Sequence, residues 1–251
     1  MVEYYKFSWY HLYNVSNYSQ KGRTRILEKK YYKPAFERAS DEYKTAVLTA
    51  GINEFSDLGL EKANINVIAK KAGVSVGLLY KYFDAKEDFF YTCVDEAIKQ
   101  LEITIQSVVD TDDKILVRAE KLIRAIQRFS NKDTKYLKLY NEITKLKGPM
   151  ADFFVKRIES ISSKTYLEFI ERAKENGEIR QDCDTRLFTF FFDSLLVALQ
   201  FSYSCDYFIE RLKVFCGEEI FEDDDLMVAE LLKFLESAFT FEQTDIKRLG
   251  R

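Results

Sequence analysis

Residues 68–90 read IAKKAGVSVGLLYKYFDAKEDFF, two short apolar-faced segments that meet at a glycine. Ile65, Ile68, Ala69 and Ala72 share one face of a short helix opened by an Asn64 cap, and Gly73 closes it by offering the left-handed conformation that a sharp turn needs. Val74 fills the angle, Ser75 caps the next helix, and residues 76–83 follow at once. Two short helices joined by three or four residues that include a glycine form a helix-turn-helix.

The flanks extend this pattern. Upstream, Ser40 is an N-cap and Asp41 and Glu42 favour a first turn, while Tyr43, Ala46, Val47, Ala50, Phe55 and Leu58 form one apolar face as far as Gly59. Downstream, Asp84 with Glu87 three places on predicts a capping box for a longer helix. That helix carries Phe89, Phe90, Cys93, Val94, Ala97, Ile98, Leu101 and Ile105 on to about residue 109. Further helices are expected near 113–130, 133–147, 150–176, 185–204 and 226–244, with Asp184 as a cap and stops at Asn131, Gly148-Pro149 and Asn176-Gly177. The acidic run 218–225 reads as a solvated loop, because a calcium loop needs alternating oxygen ligands and a central glycine.

The expected fold is all-α, in three parts. Residues 1–39 are an amino-terminal extension of uncertain order, residues 40–92 a three-helix helix-turn-helix domain, and residues 93–251 a larger helical domain. The extension mixes aromatic and basic residues without a helical or alternating period. It reads as a flexible arm, an irregular cap or an over-extended start, and its removal is expected to leave the fold intact. Its basic segment 21–33 is a candidate minor-groove arm.

Composition narrows the function. The chain has 251 residues, with 47% hydrophobic and 31% charged, as in an ordinary globular protein. Only 2 Pro and 9 Gly leave few turn residues for a many-stranded sheet. A single histidine, His11, and four scattered cysteines without a CxxC pair argue against a metal site and against His-based catalysis, so no cofactor or metal is expected. No nucleophile elbow, HExxH, P-loop or GxGxxG occurs, and the chain is read as not an enzyme. Residues 1–92 carry 14 basic against 11 acidic side chains and the remainder 24 against 30, so the mildly basic end is the one holding the motif. Without an apolar leader or a run of about 20 apolar residues, and with cysteines read as free thiols, a cytoplasmic protein with no membrane partner is expected.

Residues 45–92 resemble the amino-terminal domain of the TetR/AcrR family of transcription regulators. The resemblance rests on Ala50, Phe55, Gly59, Ile68, Ala69, Ala72-Gly73-Val74-Ser75, Gly77, Leu79-Tyr80, Tyr82-Phe83, Lys86-Glu87 and Phe90. It implies a homodimeric DNA-binding regulator, most simply a repressor released from a double-stranded operator by a small hydrophobic effector. A recognition helix at 75–82 sets Ser75, Val76, Gly77 and Leu78 nearest the base edges, with Tyr80, Lys81 and Tyr82 toward the backbone or its flanks. The family pattern assigns phosphate contacts to Asn64, Tyr80 and Lys86. Bland alternatives stand beside these roles: Asn64 as a cap only, Tyr82 and Phe83 as core, and Lys81 as a solvated lysine. Val76 and Leu78 replace positions that are often polar in the family, so readout by thymine methyl contacts and DNA shape is expected.

The resemblance also implies a dimer bundle from the last two long helices, with Phe191, Leu195, Leu199, Leu231, Leu235 and Phe239 as interface candidates. Burial within one subunit is the alternative. An effector pocket is implied between the long helices, with Phe129, Tyr136, Tyr140, Phe154, Ile158, Tyr166, Phe169, Phe188 and Phe192 as candidate walls, each equally a plain core residue. Asp193 is the charge in that apolar helix able to meet a cationic ligand. A protein-docking module that has kept the fold is the competing function. The operator, the regulated genes, the effector and the sign of regulation are not written in the sequence.

Overall fold

The computed structural model describes residues 30–109, 113–132 and 134–240, and within them every regular element is helical. His11 and the basic residues at 21–29 lie outside the described residues. The first described helix, α1 (Pro34–Glu37), is a single turn with proline at its start, where the missing N–H is no loss. Three side-chain caps then organise the motif. Ser40 opens α2 (Asp41–Lys62) by accepting the Tyr43 amide. Asn64 opens α3 (Ile65–Ala72) by accepting the Asn66 amide at 2.9 Å, and Ser75 opens α4 (Val76–Tyr82) by accepting that of Leu78 at 3.1 Å. Each cap satisfies an orphan donor and stabilises its helix by about 1 kcal/mol. Gly73 takes φ 67°, ψ 27° between α3 and α4, as the turn reading requires.

Gly59, at φ 74° and ψ 171°, breaks α2 where the stop is expected, and a last turn follows it to Lys62 with the Ala63 amide returning to the Gly59 carbonyl. One boundary differs from expectation. α5 (Lys86–Val109) begins two residues beyond Asp84, which pairs with Lys33 at 2.8 Å rather than capping the helix.

The body consists of α6 (Ile115–Lys132), α7 (Thr134–Thr144), α8 (Pro149–Glu175), α9 (Thr185–Ser202), α10 (Asp206–Cys216), a 3-10 turn (Glu218–Glu222) and α11 (Asp224–Thr240). Asp184 caps α9 through the Arg186 and Leu187 amides at 3.0 and 3.1 Å, as expected. α10 escaped the sequence reading because no side chain caps its start and its inward residues, Phe208, Ile209 and Leu212, are only half-buried. The acidic run is solvated as expected, with each of its carboxylates exposed, but it is not a plain loop. Its first part is the 3-10 turn, Asp224 accepts the Tyr203 hydroxyl at 2.9 Å, and Asp225 pairs with Arg124 of α6 at 2.6 Å.

Two apolar clusters fill the interior. One gathers α1–α4 and the first half of α5 together with Leu139 and Ile143 of α7 and Phe154 and Ile158 of α8. The other joins Ile105 and Val108 of α5 to α6, the second half of α8, α9 and α11. α5 runs unbroken through residues 92 and 93 and serves both. No single helix among the described residues is long and apolar enough to cross a membrane.

Residues 30–39 are not dispensable padding. Tyr31 is 4% exposed and packs against Tyr91, Phe153 and Phe154, and its carbonyl accepts the Thr92 hydroxyl at 3.1 Å. Phe36 lies between Tyr82 and Phe83, with centroids at 5.2 and 5.0 Å. Lys33 donates its amide to the Tyr82 carbonyl at 2.8 Å and its ammonium to the Tyr80 carbonyl at 2.9 Å. The strap therefore satisfies carbonyls that the end of α4 leaves open and ties that end to α5 and α8.

Candidate nucleic-acid interface and ligand cleft

Residues 62–83 hold four lysines and no carboxylate, a local positive stripe on a chain of net charge −3. α3 and α4 present that stripe. Asn64, Ser75, Gly77, Tyr80 and Lys81 are exposed, with Tyr80 50% accessible. Asn66 and Lys70 of α3 share the exposure and were missed, although the AKKAG string already placed lysines beside the turn. Lys71 pairs at 2.9 Å with Glu54, a buried α2 carboxylate that also accepts the Asn64 amide at 3.4 Å and so locks α3 onto α2. Lys86 is half-buried and donates to the Glu61 and Ala63 carbonyls at 2.9 and 3.3 Å, which holds its ammonium beside Asn64 at the start of α3.

One assignment on α4 is corrected. Tyr82 is 7% exposed, packed on Phe36 and Phe83, and belongs to the core. Val76 and Leu78 are half-buried against the same cluster, so the apolar start of the helix spends part of its surface on the domain. A seven-residue helix needs several of its positions to hold it down, and here the apolar ones do so.

The expected pocket walls separate into three groups. Phe129, Tyr136, Tyr140 and Ile158 border a void of about 20 Å³, room for one water. Phe154 lies in the Tyr31–Tyr91–Phe153 cluster, and Tyr166, Phe169 and Phe192 pack on one another at 5.5 to 5.8 Å. Phe188 packs on Phe239 at 5.5 Å. The first four are core, Phe188 is half-buried against that core, and none of the five lines either space.

The larger space, about 650 Å³, opens between α8 and α9. Of the expected walls only Tyr140 lines it. Val155, Glu159 and Ser162 come from α8, Phe190, Asp193, Val197 and Phe201 from α9, and Phe208 from α10. The miss has a cause: helical periodicity marks residues already covered within one chain, whereas a cleft is lined by residues left half-covered. Asp193 is the exception, and burial together with the neighbouring Glu159 pushes its carboxyl up to about 6. The Tyr140 hydroxyl donates to Glu159 at 3.3 Å and is held protonated by burial, with the Glu159 charge adding to it.

Of the interface candidates, Leu199, Leu235 and Phe239 are buried within the chain at 6%, 3% and 1% exposure. Phe191 is 60% exposed, and Leu195 and Leu231 are half-buried. Leu187 and Phe234 extend the exposed apolar surface of α9 and α11.

A capped helix-turn-helix carried by a larger helical body defines the class of DNA-binding transcription regulators. Residues 47–92 match the family described as bacterial regulatory proteins, tetR family. The HTH-type transcriptional regulator YhgD of Bacillus subtilis (strain 168) is 23% identical over 167 residues, covering 65% of this chain and 85% of that protein. The HTH-type transcriptional repressor BepR of Brucella suis biovar 1 is 23% identical over 147 residues, covering 56% and 70%. The solved structure of the transcriptional regulator FadR from Bacillus subtilis in complex with stearoyl-CoA has the same fold, with a TM-score of 0.59 at 15% identity, covering 77% of this chain and 98% of that one. Residues 47–92 are thus similar to the amino-terminal helix-turn-helix domain of tetR-family regulators, and the helical body beyond them shares the fold of solved regulators.

Proposed function

We propose that the protein is a ligand-responsive repressor. In this reading residues 40–92 form the DNA-binding unit and the helices beyond them the ligand-binding and dimerising unit. Two copies join through the exposed α9 and α11 surface and present their α4 helices to successive major grooves. An effector with a large apolar part enters the α8–α9 cleft and shifts the helices to a spacing that no longer fits DNA.

The observation that carries this reading is the dual placement of α7. Its Tyr140 lines the cleft, while its Leu139 and Ile143, at 0% and 5% exposure, sit in the apolar cluster that holds α2 and α5. A displacement of α7 by a ligand is therefore felt by the helix-turn-helix core. Tyr80, Lys81 and Lys86, with the Asn64 start of α3, would meet phosphate, and Ser75 and Gly77 would approach the base edges. Exposed aromatic surface on α9 and α11 supports self-association. BepR's description as a repressor supports the sign of regulation, and FadR's complex with stearoyl-CoA supports a ligand with a long apolar part.

The test is retardation of the DNA flanking the protein's own gene in the presence of excess unrelated duplex. A side chain at Gly77 meets nothing closer than the Ser75 hydroxyl at 3.9 Å, so Gly77→Glu adds a charge to the presented face without disturbing packing. Wild type should retard the fragment and Gly77→Glu should not, with its melting temperature unchanged. Deletion of the gene should raise expression of a reporter fused to that DNA. Equal retardation by Gly77→Glu, or a fall in the reporter, would contradict the reading.

A further inference from the structure

We propose that the α8–α9 cleft is built for a lipophilic cation, a quaternary ammonium or phosphonium centre carrying bulky apolar groups, with Glu159 and Asp193 as its counter-charges. The inference rests on the cleft being the effector site and adds the charge of the ligand.

Both carboxylates open into the same space of about 650 Å³, one from each helix that walls it. Arg186 is the one cationic side chain among the lining residues; it is 77% exposed and reaches back to Asp184 at 3.4 Å. The formal charge of the lining is therefore negative, and its positive member sits at the solvent edge. Phe190, Phe201 and Phe208 supply ring faces, which attract a desolvated cation as well as covering its apolar groups. The site brings two carboxylates into one partly buried place, where burial and the Glu159 charge raise Asp193 against the opposing pull of the Ser162 hydroxyl. A bound cation relieves both costs at once. A polyanionic ligand such as the stearoyl-CoA bound by FadR would add its phosphates to that repulsion.

The test uses two ions of nearly the same shape and opposite charge, tetraphenylphosphonium and tetraphenylborate, titrated calorimetrically into the full-length protein. The phosphonium should bind at least tenfold more tightly than the borate at pH 7.5. The Glu159→Gln/Asp193→Asn double variant should lose tenfold or more of the phosphonium affinity and erase the preference. Wild type alone provides a second readout: its phosphonium affinity should fall as pH drops from 7.5 to 5, because Asp193 takes up a proton. The other titratable or charged groups facing Asp193 are Glu159, Tyr140, Tyr166 and Arg186. Burial keeps both tyrosines protonated across that range and a guanidinium stays charged, so the fall reports Asp193. Absence of phosphonium binding at millimolar concentration, equal affinity for the two ions, or a flat pH profile would overturn the proposal. A gel-shift arm separates it from the repressor reading. Phosphonium that binds without releasing DNA leaves the cation site standing and removes the effector role. Release by stearoyl-CoA, with the phosphonium inert, does the reverse.

Discussion

Burial, with the Glu159 charge beside it, pushes the Asp193 carboxyl up to about 6, against about 4 for an unperturbed aspartate. The folded state thus holds this proton more tightly than the unfolded chain, and the stability linked to it is complete below about pH 4 and is lost as pH rises through 6. Partial solvent access reduces the effect at pH 7.5 to about 1–2 kcal/mol. Asp193→Asn should therefore raise the melting temperature by several degrees at pH 7.5 and leave it unchanged near pH 4, as followed by thermal denaturation; a lower melting temperature at pH 7.5 would refute the assignment. Gly73 supplies a second prediction. A Cβ there meets open space, so the penalty for a side chain is the backbone's alone. Gly73→Asn should be tolerated, while Gly73→Val should cost about 2 kcal/mol in chemical denaturation, because β-branching resists φ 67°. Both residues were visible in the sequence for stated reasons, the glycine by its place between two apolar-faced segments and the aspartate as a charge in an apolar helix. Tyr82 was misplaced because a helix of two turns gives too little periodicity to decide which side faces inward.

The strap at residues 30–39 and helix α7 carry the connections between elements. Tyr31 inserts among rings from α5 and α8, so Tyr31→Ala should destabilise the protein by about 3 kcal/mol in urea denaturation. A change below about 1 kcal/mol would show that the strap merely rests on the surface. Its anchors, Tyr31, Lys33 and Phe36, each act through a separate contact, and no period joins them, which is why the segment looked featureless as sequence. The caps at Ser40, Asn64, Ser75 and Asp184 were readable for the opposite reason: a cap is a local event set by one side chain and the amides just after it. α10 had no such mark, since no side chain caps its start and its apolar residues are only half-covered.

Over the whole molecule, the helical architecture followed from cap, period and stop signals, but the cleft and the subunit surface depend on how distant helices share their faces. α9 shows the difficulty. Phe192, Leu196 and Leu199 point into the chain, Phe190, Asp193 and Val197 line the cleft, and Leu187 and Phe191 face outward, so composition alone cannot sort them. If the outward surface is the contact between copies, Phe191→Glu should give a monomer in sedimentation velocity and abolish stable DNA binding; a dimer of unchanged affinity would place the contact elsewhere. The central claim is that exposed cations around α3 and α4 grip a duplex. It is met most directly by measuring binding to the DNA upstream of the protein's own gene, by fluorescence anisotropy between 50 and 300 mM salt, for wild type and Tyr80→Ala. The account predicts a steep linear fall of log affinity with log salt for wild type, and for Tyr80→Ala a weakening common to all sequences; affinity independent of salt, or no binding at 50 mM, would contradict it.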